Sequence, residues 1–460
     1  MQIVDLDQLK SDLSEVPKRR RCGHVIEADG GSITIDGLRG AARLGDGILV
    51  GKNPDGPGAQ GEIIALSADG AQAMVLGGSD GVGLGDPVWL TPLAALRPSD
   101  EWLGRVIDAT GAPIDDLPLD VGRAAAPLHR SAPPAATRGG LGPRLASGLA
   151  AIDTILPLAR GQRIGIFAGS GVGKSTLLTT LARNVEADVV VFALIGERGR
   201  ELGEFITNGL GPEGMKRAVL VAATSDESPL LRRRAAWAAM AVAEFFRDQG
   251  RHVLLVLDSL TRFAEAHREI ALTAGETPSL RAYPPSTASM IAALAERAGP
   301  GGRRADDGAI TAVFSILVAG SDMEEPVADI TRGVLDGHIV LDRAIAERGR
   351  FPAIDIGRSV SRSLPGAASQ EEGELIAEAR RLTLAYEKAT PMVQTGLYQA
   401  GADPAVDRAV ALSAPLDTFF AEPSANPKAA FRRLAEILAP EVRGHAGTAD
   451  DGVNFPKNAK

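Results

Sequence analysis

The feature that most restricts this chain is the stretch from Gly161 to Leu178, GQRIGIFAGSGVGKSTLL. An apolar run suited to a buried strand, Ile164 to Ala168, breaks into a glycine-rich loop and then into a helix-forming tail. Gly169, Gly171 and Gly173, with Ser170 and Val172 between them, let successive backbone amides turn inward toward an anion. The following helix adds its unsatisfied N-terminal amides and the positive end of its dipole. Lys174 can then bridge the outer phosphates of a nucleotide, the Ser175 hydroxyl can hold Mg2+, and Thr176 continues the first helical turn. This is a phosphate cradle set between a strand and a helix. The strict pattern asks for glycine where Ala168 stands, and an ordinary strand-to-helix turn is the competing reading.

At 460 residues the chain has room for two or three domains, and 45% hydrophobic content suffices for packed cores. Its net charge of −9 and pI near 5.4 argue against nucleic acid as a partner. The single cysteine, Cys22, excludes a disulfide framework and suits a reducing cytoplasm. The opening MQIVDLDQLKSDL carries acids where a signal peptide would be basic and then apolar. No apolar run approaches the ~18 residues of a membrane span, so membrane contact is expected only through partners.

In chain order, Ile3, Leu6, Leu9, Leu13 and Val16 fall at helical spacing and describe an amphipathic segment over 1–21. Its apolar face packs either on its own neighbouring domain or on a separate protein. Residues 22–92 alternate short β-rich pieces with turns, Gly30-Gly31 and Asp69-Gly70 among them, and read as a small closed β-barrel. A nucleic-acid-binding barrel would need stacking aromatics, and this stretch offers only Trp89. Residues 93–148 form a connecting segment, rich in Pro, Ala, Gly and Arg from Pro127. From 149 to 365, continuous apolar strands alternate with helices, among them one over about Glu201 to Leu210 and a long one from Pro229 to Asp248. That pattern describes a mostly parallel sheet covered on both faces. Residues 366–445 are helical, with Asp403-Pro404 and Asn426-Pro427 as cap-then-proline starts, and 446–460 is a polar tail.

Hydrolysis needs more than a cradle. Asp258 ends the apolar run HVLLVLD, where a carboxylate can reach the Mg2+ shell or serve simply as a turn residue. Glu197, in IGERGRE, follows another strand and can orient the water attacking a γ-phosphate, or can pair with Arg198 or Arg200. An arginine supplied late, often by a neighbouring subunit, is worth ~10³ to 10⁵ in rate, but spacing alone does not choose one.

Six motifs in order, AGSGVGKST, IGERGRE, EFFRDQGRHVLLVLDSLTRFAEAHREI, YPPS, SDMEEPVADITRGVLDGHIVLDR and FPAIDIGRSVSR, resemble the catalytic ATPase of flagellar type III protein export. That family is related to the catalytic subunit of rotary ATP synthases. The resemblance implies an N-terminal β-barrel, a central RecA-like P-loop ATPase domain and a C-terminal helical domain, in a cytoplasmic homohexamer with ATP and Mg2+ at each subunit interface. Lys174 and Ser175 keep the roles above, Glu197 becomes the catalytic carboxylate with Arg198 beside it, and Asp258 the Mg2+-side acid. Arg362, in SVSR, matches the arginine that reaches into the next subunit's site, and Phe351 falls where relatives carry a tyrosine that stacks on adenine. An ordinary core phenylalanine is the alternative there. The implied partners are a stator-like regulator at the N-terminus, the export gate, a stalk-like protein and chaperone-bound export substrates, at the inner membrane beneath the flagellum.

The virulence-type secretion ATPase is the nearest alternative. A rotary synthase subunit would carry a charge-dense loop between its C-terminal helices, and QEEGELIAEAR reads instead as a helix start. An RNA-translocating helicase is disfavoured by the acidic balance, and a ring without turnover by Glu197, Asp258 and Arg362 together.

Overall fold

The computed structural model describes residues 21–91, 95–304, 306–318 and 323–439. The expected amphipathic segment before Arg21 and the polar tail lie outside these.

Six antiparallel strands close the N-terminal barrel: β1 (Cys22–Ala28), β2 (Ile33–Asp36), β3 (Gly47–Val50), β4 (Ala59–Leu66), β5 (Ala71–Val75) and β6 (Pro87–Thr91), in the order β1-β2-β5-β4-β3-β6. Closure leaves no unpaired edge. Val25, Ile33, Ile35, Ile48, Ile63, Ala73 and Val88 fill the interior. At Gly30-Gly31 the turn is held by the Asp29 carboxylate, which accepts hydrogen bonds from the amides of Gly31 and Ser32 at 2.8 and 2.6 Å.

The central sheet comprises β7 (Val106–Asp108), β8 (Arg163–Ala168), β9 (Val189–Glu197), β10 (Ala218–Thr224), β11 (His252–Asp258), β12 (Gly299–Pro300), β13 (Ala309–Leu317), β14 (Gly337–Leu341) and β15 (Ile354–Ser361). Its order is β15-β14-β8-β13-β11-β9-β10-β7, parallel except for β15 at one edge and the short β12 beside β13. Alternate residues of β9 serve opposite faces, which is why the whole strand is apolar. Val189, Val191, Ala193 and Ile195 pack under helices Pro229–Asp248, Leu260–Thr273 and Ser286–Arg297. Val190, Phe192 and Leu194 face the helix Lys174–Asn184. Each such Val, Leu or Phe contributes about 1.5–3 kcal/mol on burial.

Two differences from the sequence reading concern this sheet. The connecting segment contributes β7 to its edge, and a three-residue strand is too short to leave a periodic signal. The helix expected over Glu201 to Leu210 is instead a short helix, Gly199–Glu204, followed by a π-turn, Phe205–Leu210, and a helix from Gly211. Phe205 is drawn against Phe192, ring centroids 4.0 Å apart, and the glycines at 209 and 211 weaken a regular continuation.

Helices Gln370–Gln394, Pro404–Ala421 and Pro427–Leu438 end the described chain. Asp403 and Asn426 cap the last two, each with proline at the first turn, and Ser369 forms a capping box with Glu372. Phe419, Phe420, Phe431 and Leu434 join the sheet's Ile164 and Ile166 in one continuous core.

Candidate active site

β8 ends at Ala168, buried and paired with Leu317 of β13 and Leu341 of β14. A residue in strand conformation needs no positive φ, so alanine satisfies the backbone there. The glycines that do need it are Gly171 and Gly173, at φ +78° and +88°. Gly173 also caps the helix Lys174–Asn184, and a Cβ added to it would come within 3.2 Å of the Phe351 ring. Alternation of left-handed and ordinary conformers makes a concave row of amides facing the helix N-terminus.

A cavity of about 1240 Å³ opens above this loop. Lys174, Glu197 and Asp258 meet in it because β8, β9 and β11, in that order, deliver them to the same sheet edge, where ligands collect in open α/β folds. The Lys174 ammonium pairs with Asp258 and lies 3.5 Å from a Glu197 oxygen. Asp258 also accepts a hydrogen bond from the Ser315 hydroxyl of β13. Burial pushes the Glu197 carboxyl above the ordinary carboxylate range; Lys174 opposes this and the Asp258 charge reinforces it. Arg198 does not pair with Glu197: it turns outward, 3.8 Å from Glu201.

Ser170, Ser175 and Thr176 line the same cavity, the last two exposed on the first helical turn, while Val172 is buried in the core beneath. Ser175 and Asp258 supply hard oxygen donors, and no cluster of three or more potential metal-ligating side chains exists among the described residues. Such a donor set fits Mg2+, which takes one or two protein oxygens and completes its shell with phosphates and water.

Phe351 is 51% exposed beside Gly173, so it is no core residue. Arg362 lies elsewhere. β15 runs antiparallel to β14, pairing Ile354 with Leu341 at the cradle edge and Ser361 with Gly337 at the opposite edge. Arg362 therefore leaves the sheet about four residues, or ~13 Å, below its own cradle. It is exposed, and its guanidinium donates to the Leu335 carbonyl at 3.2 Å.

Sequence reasoning missed Arg262. It stands four residues after Asp258, in the first turn of helix Leu260–Thr273. Its stem packs 3.0 Å from where a Cβ on Gly196 would sit, and it pairs with Glu265 at 2.8 Å in the cavity wall. Gly196, at φ +67°, leaves room for that side chain directly beside Glu197.

Residues 148–361 match the ATP synthase alpha/beta family nucleotide-binding domain, and residues 368–436 the C-terminal domain of the type III secretion ATPase EscN. The flagellum-specific ATP synthase of Caulobacter vibrioides is 47% identical over 388 residues, covering 83% of this chain and 87% of that protein. The chain belongs to the flagellar and type III secretion ATPases. Among its relatives, the flagellum-specific ATP synthase of Salmonella typhimurium is 39% identical, covering 91% of this chain and 93% of that one. The assembled ATPase EscN from the type III secretion system of enteropathogenic E. coli superposes with a TM-score of 0.84 at 36% identity, over 91% of this chain and 100% of its own. Barrel, parallel sheet and C-terminal helices are thus the architecture of this ATPase family, related to ATP synthase subunits. The secretion-type C-terminal domain sets a rotary synthase subunit aside.

Proposed function

We propose that this ATPase hydrolyses Mg-ATP in a homohexameric ring and energises export of flagellar subunits. The observation that carries the reading is Lys174 held between Asp258 and Glu197 above the glycine loop. The Lys174 ammonium faces both carboxylates. A triphosphate in the cradle offers Lys174 stronger anionic partners, so its binding releases Glu197 to accept a hydrogen bond from water. That water attacks the γ-phosphorus: one P–O bond forms as a proton passes from the water to Glu197 and on to the released phosphate, the β–γ bridging P–O bond breaks, and its electron pair stays on ADP. Lys174 and the loop amides stabilise the charge that spreads over the transferring group. Mg2+, held by Ser175 and by water on Asp258, would neutralise phosphate charge. Arg362 cannot reach its own cradle, and in a ring it would complete the neighbour's site. Phe351 would stack on adenine.

No helix among the described residues is long and apolar enough to cross a membrane. The proposed place of action is the cytoplasmic base of the flagellum, reached through a stator-like regulator on residues 1–21. The export gate, a stalk-like protein and chaperone-bound cargo are the further partners proposed. EscN in complex with its central stalk EscO superposes on this chain with a TM-score of 0.79 at 36% identity, over 91% of this chain and 100% of its own, which supports a stalk partner.

The test is chromosomal replacement by Glu197→Gln with hook and filament proteins assayed in the medium. Loss of export with normal protein levels supports the reading, and undiminished export refutes it. Deleting residues 2–17 should weaken capture of the regulator while leaving the isolated ATPase active, and capture at unchanged affinity would refute the N-terminal role.

A further inference from the structure

The cavity continues past the catalytic cluster. Helix Leu260–Thr273 begins next to Asp258 and turns Thr261, Glu265 and Arg268 into the cavity along one stripe. At 1.5 Å per residue, Arg268 sits roughly 15 Å along the helix from Asp258. Phe351 lies beside Gly173 of the glycine loop. A nucleotide lying from Phe351 to Lys174 would therefore leave the Arg268 end free.

What lines that end is suited to a small anion. The Arg268 guanidinium lies 4.9 Å over the Tyr283 ring, and among the described residues it makes no hydrogen bond or ion pair. The Tyr283 hydroxyl has no hydrogen-bond partner among them either. Burial pushes this phenol up, so it remains a neutral donor. Of the carboxylates on the same wall, Glu265 is matched by Arg262 at 2.8 Å, and Glu325 faces Tyr283 from the start of helix Pro326–Val334. The contact with the Tyr283 ring holds the Arg268 guanidinium beside the phenol, so the two donors lie together.

We infer that Arg268 and Tyr283 form a second anion subsite, which holds inorganic phosphate after it leaves the catalytic cluster. The inference rests on the ATPase reading above. Arg262, which lines the same cavity, is already matched by Glu265 at 2.8 Å, so Arg268 is the guanidinium left to take a departing phosphate. A planar guanidinium takes two phosphate oxygens at once, and the phenol donates to a third.

The probe is inorganic phosphate itself, measured on the full-length assembled protein as inhibition of steady-state ATP hydrolysis and as direct binding to the ADP-loaded form. Arg268→Ala should weaken both by roughly tenfold, the loss expected of a charge-assisted hydrogen bond. Tyr283→Phe, which keeps the stack, should weaken them by less, and Arg268→Lys should fall between. Affinity for a fluorescent ATP analogue should hold in all three. Equal phosphate inhibition of wild type and Arg268→Ala would overturn the subsite. So would dispersal of the assembly by Arg268→Ala, which would assign the guanidinium to a carboxylate of the adjoining subunit. A wild-type protein that hydrolyses ATP but binds no phosphate would reject the subsite and leave the ATPase reading intact, whereas one that does not hydrolyse ATP would remove the reading beneath it.

Discussion

Arg233, on the long helix of the central domain, forms an ion pair at 3.0 Å with Glu62 on barrel strand β4, both side chains about nine-tenths buried. The pair is fastened from outside by Trp237, whose ring lies 4.8 Å from the Arg233 guanidinium. Met74 of the barrel packs beside it against Leu230 and Ile270. Burial pushes the Glu62 carboxyl up and the Arg233 guanidinium down, so each charge depends on the other. Removing one partner strands a buried charge, and Glu62→Leu should destabilise the barrel–sheet junction by about 3–5 kcal/mol. The double change Glu62→Leu with Arg233→Met should recover most of that. Urea unfolding followed by tryptophan fluorescence reads both; equal loss in single and double variants would contradict the assignment.

Glu197→Gln should leave ATP affinity within about threefold and lower turnover by at least 10²-fold, the scale of a lost general base. Because burial raises the Glu197 carboxyl, wild-type turnover should also fall on acidification earlier than for an ordinary carboxylate. The sign follows from the role: only the ionised form accepts a hydrogen bond from water. A pH–rate profile unchanged by moderate acid would exclude Glu197 as that group.

The separation of Arg362 from its own cradle makes a complementation experiment decisive. Lys174→Ala should be inactive through loss of phosphate binding, and Arg362→Ala through loss of the neighbour's site. Mixing the two should restore a fraction of activity, since some interfaces then join an intact cradle to an intact arginine. Persistent inactivity of the mixture, with assembly verified by light scattering, would argue against action in trans.

Beside Gly173, Phe351→Ala should weaken nucleotide binding by about tenfold, within the range of lost base–aromatic stacking. Phe351→Tyr should leave it unchanged. Since Phe351 is half exposed, neither change should lower the melting temperature by more than ~2 °C. Equilibrium titration with a fluorescent ADP analogue distinguishes the two, and undiminished affinity in Phe351→Ala would place adenine elsewhere.

His252 and His267 are both held at about 4 by burial, against an ordinary value of 6.5. His252 bonds to the Thr311 hydroxyl at 2.8 Å and His267 to that of Ser286 at 2.8 Å. Between those values the unfolded chain binds protons that the native chain refuses. Stability is therefore full above pH 6.5 and falls as pH drops toward 4, by on the order of 3 kcal/mol per imidazole. Replacing both by Gln should flatten the dependence of the denaturation midpoint in that window; an unaltered slope would mean that other groups set it.

Much of the candidate site was legible because its signals are local. The glycine loop, Asp258 and Glu197 each follow an apolar run, and each lies where its strand ends. The caps at Asp403 and Asn426 were equally plain, since a capping side chain acts on amides two or three residues away. Arg262 was not visible, for its position beside Glu197 depends on the side-chain room left by Gly196. Strand β7 was hidden because three residues carry no period.

The local order of residues by itself determined the glycine loop between strand and helix, the alternation of buried strands with helices, and the places where helices begin. These follow from backbone freedom, apolar spacing and short-range hydrogen bonds, all of which act within a few residues. Only the tertiary structure decided that Lys174 meets a carboxylate 84 residues away. It also decided that Arg362 emerges at the far edge of the sheet from its own cradle. Both depend on strand order and direction, which are set by how whole faces pack against one another, and no single segment encodes its neighbours in a sheet.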